Sequence, residues 1–430
     1  MQRNAEKIEM NQHPTTGQAL TGIEAAGPSG RLVAPHVRMG LLASCAALAI
    51  WAIAAGIDPE MGLFWVYGLA FGYVLQRGRL CFAAAFRDIF LLQHGRTLKA
   101  VLAGLAVATI GFGLVMSKQV PNPTLGFLPP TANVLPIGLH LVFGGLIFGV
   151  GMVVAGGCVS GSVYRMGEGY VASWVSFGGI LLGLLLTAYT WNWWWDVSIA
   201  DGPRIWLPAH LGHGGAIAST LLALLGVYLL VVWWESRSGM VLPEARFAGS
   251  GDDSFRARIA DNLRQIFVHG WPVVVGGVLL GALNVMLFYT AHPWGFTGEL
   301  SRWMLGLSGA LGFGPSALQG AASLPGCTLE VGDDGFLHHM FFLVWGMVMG
   351  SFVAALFAGE FKIRRPRERR RYFQAAGGGV LMGVGATLAM GCTIGAFFSA
   401  IPSLALNGWV FALCLAAGAW VGTQLIQRFD

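Results

Sequence analysis

The stretch "GVGMVVAGGCVSG" at residues 149–161 decides how the chain is read, because residues 383–395 repeat it as "GVGATLAMGCTIG". Both follow the frame G-V-G-x-x-x-A-x-G-C-x-x-G, with Cys158 and Cys392 at the same place. Each copy sits inside an apolar run, 137–169 or 373–402, that exceeds the roughly 20 residues a plain helix needs to cross a bilayer. Glycine interrupts both runs, at "AGGC" (155–158) and "MGC" (390–392). Two more long runs are interrupted: 62–92 at "QRGR" (76–79) and 271–310 at "AHPWGFTG" (291–298). Broken backbone at membrane depth is tolerated only where it is buried in protein or lines a cavity. Four breaks therefore predict one shared cavity.

Composition agrees with a membrane reading. The chain has 430 residues, 55% hydrophobic and 11% charged, with mean hydropathy +0.64. Soluble domains carry about 25% charged residues. A β-barrel would alternate apolar and polar residues, and "AVLAGLAVATIGFGLVM" (100–116) does not. The expected fold is an all-α polytopic membrane protein. Plain spans are expected at 38–56, 97–117, 171–190, 211–235, 337–359 and 407–426. The net charge of +5 and pI near 9.0 do not indicate nucleic-acid binding, because the basic residues fall in loops between spans.

Those loops give the orientation expected. Residues 360–372 hold Lys362, Arg364, Arg365, Arg367, Arg369, Arg370 and Arg371, and 236–270 holds five arginines. Both should be cytoplasmic by the positive-inside rule. Stretches 118–136, 191–210 and 323–336 hold only Lys118 and Arg204 and should face outward. The "WNWWWD" cluster at 191–196 suits the outer interface. Counting crossings gives 1–37 as a flexible cytoplasmic tail, 38–56 as an extra N-terminal transmembrane helix, and 62–190 as a first repeat. A linking helix follows at 211–235, then a cytoplasmic loop at 236–270, then a second, inverted repeat at 271–426. Both termini are expected in the cytoplasm. The order broken, plain, broken, plain appears in each repeat, and inverted repeats of broken helices surround midplane binding sites in many secondary transporters.

The site residues follow from the breaks. A half-helix start presents bare N–H groups and partial positive charge, which suits an anion. Gly157 and Gly391 allow close approach of the backbone to a ligand. Cys158 and Cys392 add polarizable thiols with weak donor and acceptor ability, and Thr393 follows Cys392. This pairing suits a sulfur-containing anion better than phosphate. Cys81 lies beside the first break, near Arg79, a candidate for attracting the anion. The matching break in the second half has no cysteine, and Thr297 is its nearest polar candidate. Cys327 lies in an expected outer loop, either as a surface thiol or as a capture point. Cys45 and Cys414 lie at no break and read as packing residues.

Other polar residues have plainer readings. Arg87 with Asp88, and Arg165 with Glu168, are expected near cytoplasmic helix ends. Glu299 and Arg302 read as a helix-surface i, i+3 pair. His210, His213, His338 and His339 read as interfacial. There is no C-x-x-C pair and no zinc-like spacing, so no metal or cofactor is expected. There is also no Walker A sequence.

With these motifs in view, "LQRGRLCFAAAFRD" (75–88), "GLIFGVGMVVAGGCVSG" (145–161) and "GVGATLAMGCTIGAFFSAIP" (383–402) resemble the YeeE/YedE family of sulfur-transport membrane proteins. The resemblance implies uptake of thiosulfate or a related sulfur species across the inner membrane. It implies an hourglass-like bundle with a central substrate pathway, and transient S–H···S contacts made by Cys81, Cys158 and Cys392. It also implies a possible partner, a small cytosolic sulfur carrier of the TusA type. Two alternatives stay open: transport of a selenium or other reduced-sulfur species, and a membrane thiol enzyme of sulfur transfer.

Overall fold

Among the described residues, thirteen helices of nine or more residues follow from the pattern of apolar runs and breaks. The computed structural model describes residues 35–237, 266, 270–315, 317–324 and 337–429. In chain order the helices are α1 (Pro35–Ile57), α2 (Pro59–Arg77), α3 (Phe82–Leu91), α4 (Arg96–Gln119), α5 (Leu139–Ala155), α6 (Val159–Gly167) and α7 (Val171–Ala188). They continue as α8 (Pro208–Ser236), α9 (Val273–Thr290), α10 (Thr297–Ala310), α11 (His339–Phe357), α12 (Arg369–Leu388) and α13 (Leu406–Phe429). A short π-helix, Thr393–Ser399, follows α12. Among the described residues the only β-type pairings are the single bridges Tyr170–Arg364 and Trp206–Ala405.

Among the described residues, eight helical stretches are long and apolar enough to cross a bilayer, and α12 with the 393–399 segment, bent by 48°, makes a ninth if counted as one span. The chain is thus a multi-pass helical membrane protein. Leu42, Leu48 and Ile53 of α1 are largely exposed, as expected of side chains facing lipid. The four long apolar runs are each broken: α2 from α3, α5 from α6, α9 from α10, and α12 from the π-helix. One boundary differs from expectation. The arginine-rich stretch is not all loop, because α12 begins at Arg369 after an extended Glu368. Arginine is a good helix former, so positive charge does not by itself end a helix.

Lipid-embedded helices gain little by hiding apolar surface from one another, so small residues decide where they meet. Helix α2 packs along α11, and α4 along α9. The contacts are backbone-close: a Cβ on Gly72 would stand 2.0 Å from the Met347 carbonyl oxygen, and one on Gly277 would stand 2.0 Å from that of Ala100. Helix α12 packs along both α5 and α7, and α13 along α5. The short helices α3 and α6 and the π-helix are held inside this frame. Their residues share one buried cluster with those of α2, α5 and α11.

Candidate functional site

Three of the four breaks are built by the same backbone device. At the end of α5, Gly156 is left-handed (φ 77). Its N–H bonds to the Val153 carbonyl at 3.2 Å, and the Gly157 N–H reaches back to Met152 at 3.1 Å. This is the Schellman closure, which satisfies carbonyls that a helix end leaves bare. Helix α2 ends the same way at Arg79 (φ 48), with Arg79 bonded to Gln76 at 3.2 Å and Leu80 to Leu75 at 3.1 Å. Helix α12 does so at Met390 (φ 53), with Met390 bonded to Thr387 at 3.1 Å and Gly391 to Ala386 at 2.8 Å. In each case the residue two beyond the left-handed one is a cysteine in extended conformation. It caps the next short helix: Cys81 before α3, Cys158 before α6, Cys392 before the π-helix.

The three sulfurs are buried within one cluster. The Cys158 thiol accepts the Gly161 N–H at 3.3 Å and lies 3.3 Å from the Ser160 hydroxyl. The Cys392 thiol accepts the Ile394 N–H at 3.4 Å. Cys81 and Cys158 are neighbours: a Cβ built on Gly161 would lie 3.3 Å from both sulfurs. The Cys392 segment joins them through its aromatic side chains. Phe398 meets Phe82 with ring centroids 5.3 Å apart, and Phe397 meets Phe86 at 5.7 Å. The same segment touches α6.

The two break glycines differ in their surroundings. Gly391 is required by its own backbone, since a Cβ there would meet the Ala396 nitrogen at 2.8 Å. Gly157 has room, its nearest neighbour being Arg165 Nη1 at an ordinary 3.5 Å. The residue that needs to be glycine is Gly156, through its positive φ. Arg165 does more than close a helix end: its Nη1 donates to the Gly156 carbonyl at 2.8 Å, which sets a guanidinium against the break. Sequence reasoning placed it elsewhere because Arg165 is nine positions from the carbonyl it holds.

Arg79 lies toward the surface, away from the buried thiols. Its side chain is 69% exposed and ion-paired with Glu360 at 2.8 Å, and its backbone supplies the left-handed turn. Glu360 also accepts from Arg77 at 2.7 Å and from Gln76 Nε2 at 2.9 Å. Burial pushes the Glu360 carboxyl up, but Arg77, Gln76 and Arg79 together outweigh it and hold the carboxyl below its ordinary range. Arg87 pairs with Asp88 at 2.8 Å. Cys45 is exposed and Cys414 half-buried, both as free thiols. Cys327 lies outside the described residues, as do most of 1–37 and 236–270.

The fourth break, between α9 and α10, lacks both the Schellman turn and the thiol. Asn284 of α9 replaces them, its Oδ1 accepting the Trp294 N–H at 2.8 Å. The Ser399 hydroxyl donates to the Trp294 carbonyl at 2.7 Å. Thr297 opens α10 and is buried. Glu299 and Arg302, two and five residues on, are not a surface pair: both are buried and 3.0 Å apart. Trp303 Nε1 donates to Glu299 at 2.7 Å, and His338 Nδ1 lies 3.7 Å from it. The i, i+3 spacing is the same on a buried or an exposed face, so the sequence alone could not separate the two. The rings of His338 and His339 lie 3.6 Å apart, tilted by 44°, and His339 lies 6.1 Å from His292. Among the described residues no group of three or more His, Cys, Asp or Glu could hold a metal.

Fold and site together define a polytopic membrane protein whose helices are interrupted at buried thiols. The profile of the family described as "Sulphur transport" matches residues 77–421. The chain belongs to that family, known also as YeeE/YedE. It is similar to the thiosulfate transporter TsuA of Spirochaeta thermophila, 31% identical over 385 residues that cover 84% of this chain and 97% of the relative. It is similar to TsuA of Escherichia coli, 29% identical over 367 residues covering 84% and 93%. The probable transporter YedE of Escherichia coli is 34% identical over 202 residues, which cover 46% of this chain and 47% of that one.

Proposed function

We propose that the chain imports thiosulfate, or a closely related sulfur-containing anion, across the inner membrane by successive transient contacts with Cys81, Cys158 and Cys392. One observation carries this reading: three buried cysteines, each at the N-cap position of a short helix after the same turn, lie in one core. Bare N–H groups at the starts of the half-helices suit the anionic charge, and the thiols suit sulfur. Neutral contacts hold an ion weakly enough to release it, as flux requires. The relatives named as transporters of thiosulfate support the same substrate and a role in transport, not catalysis.

An inverted repeat is part of the proposal. If α2, α3 and α4 correspond to α9, α10 and α11, and α5, α6 and α7 to α12, the π-helix and α13, each major packing has its counterpart. The α2–α11 contact maps onto α9–α4, the α7–α12 contact onto α13–α5, and α5–α12 onto itself. The two halves would lie inverted in the membrane with both termini cytoplasmic, in an hourglass-like bundle. A TusA-like carrier on the cytoplasmic side would receive the product.

Uptake of radiolabelled thiosulfate by cells carrying this chain as their only route tests the reading. Cys81→Ala, Cys158→Ala and Cys392→Ala are expected to lower uptake by more than about tenfold, the loss of roughly 1.4 kcal/mol of contact. Cys45→Ala and Cys414→Ala should stay close to the parent. Equal behaviour of the two groups would refute the site. Competition by selenium and other reduced-sulfur species separates the substrates. The proximity of Cys81 and Cys158 favours one second reading, a thiol enzyme of sulfur transfer. A persulfide in stoichiometric yield after turnover, seen by mass spectrometry, would decide for it.

A further inference from the structure

We infer that the indole N–H of Trp294 is a preorganised donor to an oxygen of the transported anion, with the Thr393 hydroxyl as a second donor. The inference rests on the proposed function and deepens it. A thiosulfate ion has two chemically different ends, a terminal sulfur and three sulfonyl oxygens. Thiols answer the first, and the oxygens need hard donors in a region without water.

Trp294 is fixed at every point but one. Its backbone N–H is taken by Asn284 at 2.8 Å and its carbonyl by Ser399 at 2.7 Å. Its ring is stacked flat on Phe71 of α2, with centroids 3.9 Å apart and planes 9° from parallel. Its edge meets Phe398 of the Cys392 segment at 6.2 Å, and Phe398 in turn meets Phe82, next to Cys81. The ring therefore stands where the fourth break, the Cys81 break and the Cys392 break come together. Yet Trp294 is fully buried, and its Nε1 has no hydrogen-bond partner among the described residues. The Thr393 hydroxyl, one residue from Cys392, is also fully buried and also unpartnered among the described residues. Buried polar atoms left unpaired are rare and each calls for an explanation. Phenylalanine would give the same stacking and apolar contact without the orphan. Indole nitrogen donates and never accepts, so what completes it must bring a lone pair. An anion's oxygen does so, and a neutral donor attracts it without trapping it.

Removing the N–H should therefore weaken substrate binding without weakening the empty protein. The test uses the purified full chain in lipid nanodiscs, with labelled thiosulfate in equilibrium dialysis and thermal unfolding read alongside. Trp294→Phe is expected to raise Kd for thiosulfate by about 10- to 100-fold, the range for a hydrogen bond to a charged group. The substrate-free unfolding midpoint should be unchanged or higher. Thr393→Val should raise Kd in the same direction. Where Trp294→Phe lowers the midpoint, a benzothienylalanine at position 294 decides, because sulfur replaces the N–H with the ring shape kept. Parent-like affinity in that isostere, or in a folded Trp294→Phe, overturns the inference and leaves the thiosulfate reading standing. A parent that binds no thiosulfate overturns both.

Discussion

The Cys158 break and the Trp294 break solve one problem by different means, and the contrast shows what each is for. At Cys158 the backbone closes on itself: Gly156 turns left-handed and two amides satisfy the carbonyls of α5. Beyond the Arg165 guanidinium on the Gly156 carbonyl, the turn is closed by the backbone itself. At Trp294 the backbone is held by side chains, Asn284 and Ser399, and the short helix beyond carries a buried ion pair in place of a thiol. The cysteine breaks offer soft contacts. The tryptophan break offers rigidity and charge.

Substitutions of decreasing effect can break or sharpen that contrast. The largest loss is expected from Glu299→Ala, which strands Arg302 inside the protein. Losing one partner of a buried pair costs about 3–5 kcal/mol, seen as a fall in thermal unfolding midpoint. A loss below about 1 kcal/mol would mean that the charge on α10 is not structural. Next is Gly391→Ala, where the new methyl collides with the Ala396 nitrogen and overpacking costs about 1–3 kcal/mol. Gly157→Ala at the matching position should be nearly silent, and equal losses would show that the two thiol breaks are not packed as described. Gly156→Ala meets no atom within 4 Å, so its expected loss of about 1 kcal/mol comes from the left-handed backbone alone.

The smallest effect is acid sensitivity at the Cys81 break. The Glu360 carboxyl is held low in the folded protein, so its pairing with Arg77 and Arg79 stabilises above the unfolded value of about 4.3. That contribution is lost as pH falls through the folded value. The pair is partly exposed, which limits it to under about 1 kcal/mol. The unfolding midpoint of the parent should drop more between pH 6 and pH 3 than that of Glu360→Gln. Parallel curves would remove Glu360 from the account.

Where the chain breaks was legible in sequence because glycine marks it: "QRGR", "AGGC" and "MGC" each lie at a helix end. How it breaks was not. Two of the three left-handed positions are Arg79 and Met390, residues with no local preference for that conformation, held there by tertiary packing and amide bonds. The adjacency of Cys81 and Cys158 was hidden for the same reason, since only folding brings α3 to α6. Gly161 was visible as the last letter of the repeated frame, but its place against both sulfurs was not. The orphaned Trp294 N–H is invisible in principle, because a missing partner is a property of the whole fold.

The Schellman turns also make each gap chemically one-sided. They bond two carbonyls at the end of each preceding helix, out of the four that a helix end leaves without an intrahelical partner, so fewer free oxygens face the gap. A gap closed in this way presents a poorer set of oxygen ligands to an alkali ion than an unclosed helix end would.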